Sequence, residues 1–200
     1  FRLFGSPDPL SAIGRDLVRR PLLAGYLAGH DWRSAIEEDL MPFHAALCPH
    51  LAGQPPLWTH GDWHASNLLW EGERVRSVLD FGLADRSFAL FDLATAIERN
   101  LIEWLDLDEG RDPAVHEDQL DALLAGYASL RPFPTEALAA LLPLVHADFA
   151  LSEVEYFHGI VRSPANADLA YLGYLLGHAR WFASGRGEAL LTRIRNWKRR

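Results

Sequence analysis

The sequence predicts a mostly α-helical α+β chain, and three observations carry that prediction. Apolar residues recur at helical spacing up to about residue 51 and again after about Ser87. Between those stretches the period drops to two over a short segment, the pattern of a strand pair. No repeat, low-complexity tract or linker divides the 200 residues, a length that suits one domain or one lobe of a larger enzyme.

Ser6-Pro7-Asp8-Pro9 is a turn-rich opening whose prolines fix φ just ahead of an apolar-periodic stretch. Leu10 to about Gly29 reads as one or two short helices broken near Pro21. Asp31 is suited to cap a helix from Trp32 to about Leu51, with Ile36, Leu40, Phe43, Ala46 and Leu47 on one face. Gln54-Pro55-Pro56 ends helical structure. Leu57-Trp58-Thr59 is a short apolar run. Leu68–Trp70 and Val75–Leu79 form a predicted hairpin around the turn Glu71-Gly72-Glu73-Arg74. Helices are expected at Phe91–Leu105, Pro113–Ser129, Pro134–Phe157, Ala167–Ser184 and Gly187–Trp197.

Composition bounds the function classes. The chain is 49% hydrophobic and 23% charged, which excludes a disordered tail. Cys48 stands alone, so an intrachain disulfide and a cysteine zinc cluster are both excluded. No uninterrupted apolar run approaches ~18 residues, and no signal peptide opens the chain. The expectation is a cytoplasmic protein with no membrane partner. The net charge of −8 is uneven: residues 186–200 hold six cations against Glu188, leaving a body with 13 basic and 26 acidic groups. Such a body argues against nucleic acid and suits a neutral or cationic small substrate. Eighteen of the 19 basic residues are Arg, a bias that points to a GC-rich bacterial source, and the one Lys is Lys198. The chain begins at Phe1, which reads as a piece whose natural start has been removed.

The segment that carries chemistry is His60-Gly61-Asp62-Trp63-His64-Ala65-Ser66-Asn67, with Asp80-Phe81-Gly82 beginning 13 residues after Asn67. Phosphoryl transfer from a nucleotide needs a carboxylate near the attacking hydroxyl and oxygen ligands for Mg²⁺. Asp62 on a loop can accept or orient the hydroxyl proton. Asn67 and Asp80, at the two ends of the hairpin, can offer an amide and a carboxylate oxygen. Gly61 and Gly82 remove side chains where the backbone must turn sharply.

His-Gly-Asp-x-x-x-x-Asn followed by Asp-Phe-Gly resembles the catalytic and metal loops of the protein-kinase-like fold. Gly61 together with His64 resembles the aminoglycoside phosphotransferase branch, which includes choline and homoserine kinases. Phe91-Asp92-Leu93-Ala94 is similar to the helix start that follows the metal loop in that family. The resemblance is densest over residues 57–96 and implies the C-terminal lobe of the fold. It implies Asp62 as catalytic base, Asn67 and Asp80 as Mg²⁺ ligands toward ATP, His60 as a brace for the loop, and Asp92 as a structural anchor. The family's other lobe carries a Gly-rich turn and a phosphate-gripping Lys; neither is found upstream of Asp62, so this nucleotide lobe is expected to be missing from the chain.

Secondary candidates have bland alternatives beside them. His64 either contacts substrate or hydrogen-bonds within its loop, and Trp63 either stacks on substrate or fills the core. Glu153 and Glu155 lie where the family often places substrate contacts. Asp85, Glu98, Glu103, Asp106, Asp108 and Glu109 either draw in a cationic substrate or form a solvated face. The basic end, Arg193 to Arg200, is expected to complement a helix C-terminus. The expected function is ATP- and Mg²⁺-dependent phosphorylation of a small-molecule hydroxyl. The rival is a non-catalytic remnant or binding scaffold, against which the survival of every matching polar residue argues.

Overall fold

The computed structural model describes residues 1–198. Four helices come first: α1 (Pro9–Leu17), α2 (Pro21–Leu27), α3 (Trp32–Asp39) and α4 (Met41–Leu51). Prolines set the starts of α1, α2 and α4, since a residue at the first helical positions needs no amide partner. Asp8 caps α1 by accepting the Ser11 amide at 3.0 Å, and Asp31 caps α3 by accepting that of Ser34 at 3.3 Å. The single helix expected over 32–51 is divided at Leu40, whose φ of −112° breaks the spiral two residues before Pro42. Pro42 has no amide to continue the hydrogen-bond ladder.

The central segment makes two separate two-stranded antiparallel sheets. In the first, β1 (Pro56–Thr59) pairs with β4 (Asp85–Phe88), in register from Pro56 opposite Phe88 to Thr59 opposite Asp85. In the second, β2 (Leu68–Glu71) pairs with β3 (Arg74–Val78), with a bulge between Leu69 and Trp70. The hairpin matches the sequence reading within a residue. β4 is new, because its four residues find their partner only across a loop of 25 residues, His60 to Ala84.

Helices then dominate: α5 (Ala89–Leu101), α6 (Trp104–Asp108), α7 (Glu117–Leu130), α8 (Thr135–Leu141), α9 (Ala147–Glu155), α10 (Pro164–Asp168), α11 (His178–Ala183) and α12 (Gly185–Arg195). The expected helix 91–105 ends early, at Leu101, because Ile102 turns extended and bridges Val115; the same bridge delays α7 to Glu117. Between α8 and α9 a tighter turn spans Leu142–Leu144, where Pro143 cannot donate. Wider π-type turns occupy Tyr156–Val161 and Leu169–Gly177. Ser184 caps α12. Arg193 ends α12 in ion pairs with Glu117 and Asp121 of α7, and Arg195 pairs with Glu188. Of the basic-end expectation, Arg199 and Arg200 fall outside the described residues.

One continuous core joins these helices, with Phe4, Ile13, Ile36, Ile97, Leu124, Leu138 and Phe182 fully enclosed. The helical stretch Thr135–Val161 is 27 residues long with a mean hydropathy of 1.5 over its most apolar window, long and apolar enough to cross a membrane by those criteria. Of that window, 72% is buried inside the fold, which marks a core helix of the molecule.

Candidate active site

The loop between β1 and β2 is pinned from below by the first turn of α5. Both oxygens of Asp92 are used: Oδ2 accepts the His60 amide at 2.8 Å and Oδ1 the Gly61 amide at 2.9 Å. His60 is buried and acts as a two-ended strut. Its Nε2–H donates to the Leu79 carbonyl at 2.7 Å, so its Nδ1 is the acceptor for the Asp62 amide at 3.2 Å. Gly61 sits at φ +83°, and a Cβ there would run into the Leu83 carbonyl oxygen. The loop thus approaches the Phe81–Leu83 turn too closely for any side chain.

These pins bring the three expected polar groups to one edge. The Asn67 amide donates from Nδ2 to both the carbonyl and Oδ2 of Asp62, each at 3.0 Å. The Leu79 amide donates to the Asn67 carbonyl at 2.8 Å, which places Asp80, the next residue, beside Asn67. Asp80 adopts a left-handed conformation (φ 56°), one that Asp tolerates better than most residues, and its Oδ1 accepts the Gly82 amide at 3.3 Å. Asp80 is exposed. With both Asn67 amide bonds made through Nδ2, its Oδ1 remains as an acceptor, and Asp80 has a second carboxylate oxygen. Hard oxygen donors of this kind suit Mg²⁺, so Asn67 and Asp80 fit the ion that the resemblance implies.

The opposite side of Asp62 faces a cation. Arg99 Nε of α5 lies 3.5 Å from Asp62 Oδ1, and Arg99 also reaches the Tyr174 hydroxyl at 3.4 Å. Asn100, next along, holds the loop: its Oδ1 accepts the Ala65 amide at 2.7 Å and its Nδ2 donates to the Trp63 carbonyl at 3.1 Å. Arg99 and Asn100 were missed in the sequence. A signal was present, since Asp92, Arg99 and Asn100 are about two turns apart on one side of a helix whose other positions are mostly apolar.

Two cavities flank the Asp62–Arg99 pair. One, of about 240 Å³, lies between the loop, the N-terminal residues Phe1–Leu3 and α9. The other, of about 740 Å³, is lined by His64, Glu103, Trp104, Phe149, Glu153 and Tyr174 among others. Glu153 therefore faces the larger cavity, and burial pushes its carboxyl above the ordinary range. Glu155 faces away and is held by Arg20 Nε at 2.6 Å. His64 bonds within its loop, Nδ1 to the Ser66 hydroxyl at 2.7 Å, and its ring also lines the larger cavity. Trp63 is half-buried and meets the His60 ring edge-on at 5.7 Å. Asp106 and Glu109 are tied up by Arg111.

Glu98 departs most from its expectation: the residue read as a candidate for a solvated face is 1% exposed. Its Oε1 lies 3.0 Å from Nδ1 of His178, and His146 packs beside them, its ring centre 5.1 Å from that of His178. Burial pushes the Glu98 carboxyl up, and pushes His146 down to about 4 and His178 down to about 3.

Comparison with known proteins identifies the family of the chain. The model of the phosphotransferase enzyme family (APH) matches residues 4–133. A homoserine kinase of Methylobacillus flagellatus is 27% identical over 198 residues, an alignment covering 86% of this chain and 60% of that protein. The chain thus spans about three-fifths of the length of this curated relative. No solved structure matches. The family match takes in Asp62, Asn67, Asp80 and Asp92 together, and the chain belongs to the phosphotransferase enzyme family.

Proposed function

We propose that the chain is the C-terminal lobe of a small-molecule kinase, transferring the γ-phosphoryl group of ATP to a substrate hydroxyl with Mg²⁺. The observation that carries this reading is the joint placement of Asp62, Asn67 and Asp80 by one loop and one hairpin. Asp62 orients the attacking hydroxyl and takes its proton. Asn67 holds the Asp62 carboxylate in place through Nδ2, leaving Oδ1 for the ion. Asp80 supplies the charged ligand. Magnesium, when bound, neutralises charge on the phosphates during transfer. Positioning and electrostatics dominate such a reaction, so the two ligand residues matter as much as the base.

The larger cavity supports a substrate that carries an ammonium as well as a hydroxyl. Glu153 and Glu103, the latter bonded to His116 Nε2 at 2.6 Å, bring carboxylates to it together with the one guanidinium of Arg99, and Trp104, Phe149 and Tyr174 supply aromatic walls. The homoserine kinase relative is consistent with a hydroxylated amino acid in this class. The part that grips the nucleotide is placed outside these 200 residues. Two observations support that: the described residues contain two two-stranded sheets, and no Lys precedes Lys198.

The test is an ADP-release assay of the full-length protein against a panel of hydroxylated amines and amino acids. Turnover is expected with at least one of them. Asp62→Ala and Asp80→Ala are each expected to lower kcat by roughly 10²–10⁴-fold while leaving the melting temperature near that of the wild type. Wild-type turnover in either variant overturns the assignment.

A further inference from the structure

The buried Glu98, His146 and His178 border the two cavities beside the Asp62–Arg99 pair and are given no part in the reaction proposed above. They come from three places in the fold: Glu98 from the third turn of α5, His146 from the cap of α9, and His178 from the start of α11. One ligand atom from each lies within 4.8 Å of the others, an arrangement found among the described residues for this trio of buried groups. Glu98 Oε1 and His178 Nδ1 are 3.0 Å apart, close to the roughly 3.3 Å that two ligands of a tetrahedral zinc ion keep.

The orientation of each ring is already fixed. His146 Nε2–H donates to the Leu175 carbonyl at 3.2 Å. Its other nitrogen, Nδ1, therefore carries the lone pair, and that atom is buried with no hydrogen-bond partner. A second nitrogen bonded to a backbone carbonyl is the usual support of a metal-binding histidine. His178 is held by stacking on Trp104, with ring centres 3.5 Å apart, and Trp104 Nε1 donates to the Glu98 carbonyl at 2.8 Å.

Two ways of satisfying this cluster compete. A proton shared between Glu98 and His178 satisfies that pair but leaves the His146 lone pair orphaned. A cation bonded to all three neutralises the carboxylate and uses the lone pair at once. The second arrangement is favoured, because it gives every buried group of the cluster a partner. We propose that Glu98, His146 and His178 bind one divalent transition-metal ion of the Zn²⁺ class. Two imidazoles and one carboxylate suit such an ion and are a poor set for Mg²⁺. Glu98 borders both cavities, His146 the smaller and His178 the larger, so a fourth position opens toward solvent-accessible space. The ion ties α5, which also carries Asp92, Arg99 and Asn100, to α9 and α11.

The full chain, stripped with a chelator and dialysed, is titrated with Zn²⁺ and separately with Co²⁺. The expectation is one equivalent bound per chain, a rise in melting temperature, and a Co²⁺ visible spectrum of four-coordinate type. His146→Gln and His178→Gln are each expected to weaken Zn²⁺ binding by at least 100-fold, whereas Asp80→Asn leaves it unchanged. A measurement on the wild type does not depend on the variants folding: ring ¹⁵N shifts of His146 and His178 should both move on adding Zn²⁺. Absence of Zn²⁺ binding, binding unchanged in both His variants, or binding with both rings unmoved overturns the proposal.

Discussion

Asp92 shows how much one side chain can set. Its two oxygens take successive amides, those of His60 and Gly61, and so fix where Asp62 begins. Asp92→Ala leaves two amides unpaired, each costing about 1–3 kcal/mol, and is expected to lower the melting temperature and kcat together. Gly61→Ala fails for a different reason, since its Cβ has nowhere to go against Leu83 and its φ is +83°. Activity and stability are both expected to fall, measured by kcat beside a melting curve. Glu153 gives the pH prediction. Burial raises its carboxyl above 4.5, so it is protonated and neutral at the acid end and becomes charged as pH rises. The KM for an ammonium substrate is therefore expected to fall as pH climbs from about 4.5 toward neutrality. Glu153→Gln flattens that profile, read from initial rates against pH.

Among the elements, α5 is where the site is organised. Asp92, Arg99 and Asn100 reach the loop from one side of it, and Glu98 reaches the buried histidines from another. The hairpin and the Asp-Phe-Gly turn were legible because they depend on local spacing, and the role of Asp92 as anchor was legible only through the family resemblance of Phe91-Asp92-Leu93-Ala94. The β1–β4 pair was not legible, since four-residue strands become strands only when their partners arrive from far along the chain. The Glu98 cluster was hidden for the same reason: its members are 48 and 32 residues apart in sequence, and nothing local to any of them marks it. The helix breaks at Leu40 and Ile102 had local causes of unequal visibility. Pro42 was in plain view, whereas the Ile102–Val115 bridge was not. At this scale, Gly187 is where α12 meets the end of α11, and a Cβ there would strike Trp181 and Phe182 backbone atoms. Gly187→Ala is expected to cost at least about 1–3 kcal/mol, seen as a loss of denaturation midpoint with unchanged slope.

Across the whole molecule, one carboxylate holds the first residues against the helical body. Asp148 on α9 accepts the amides of Arg2, Leu3 (2.8 Å) and Phe4 (3.0 Å), and these residues wall the smaller cavity beside Asp62. Arg20 continues the chain of charges, joining Asp16 on α1 to Glu155 on α9. The fold class was visible in the alternation of helical and two-residue periods. The cavities were not, because they form where segments distant in sequence come together and no periodicity encodes a void.

The clasp formed by β1, β4 and Asp92 has a consequence for motion. Opening the loop from His60 to Ala84 means breaking the strand pair and releasing both amides from α5. Those amides can exchange with solvent deuterium only when α5 itself lifts away, whereas the hairpin strands, with one exposed edge each, can fray alone. Exchange at His60 and Gly61 should thus run with the slow amides of Ile97 and its neighbours, leaving β2 and β3 to exchange sooner. The attacking edge of the site would then share its lifetime with the core.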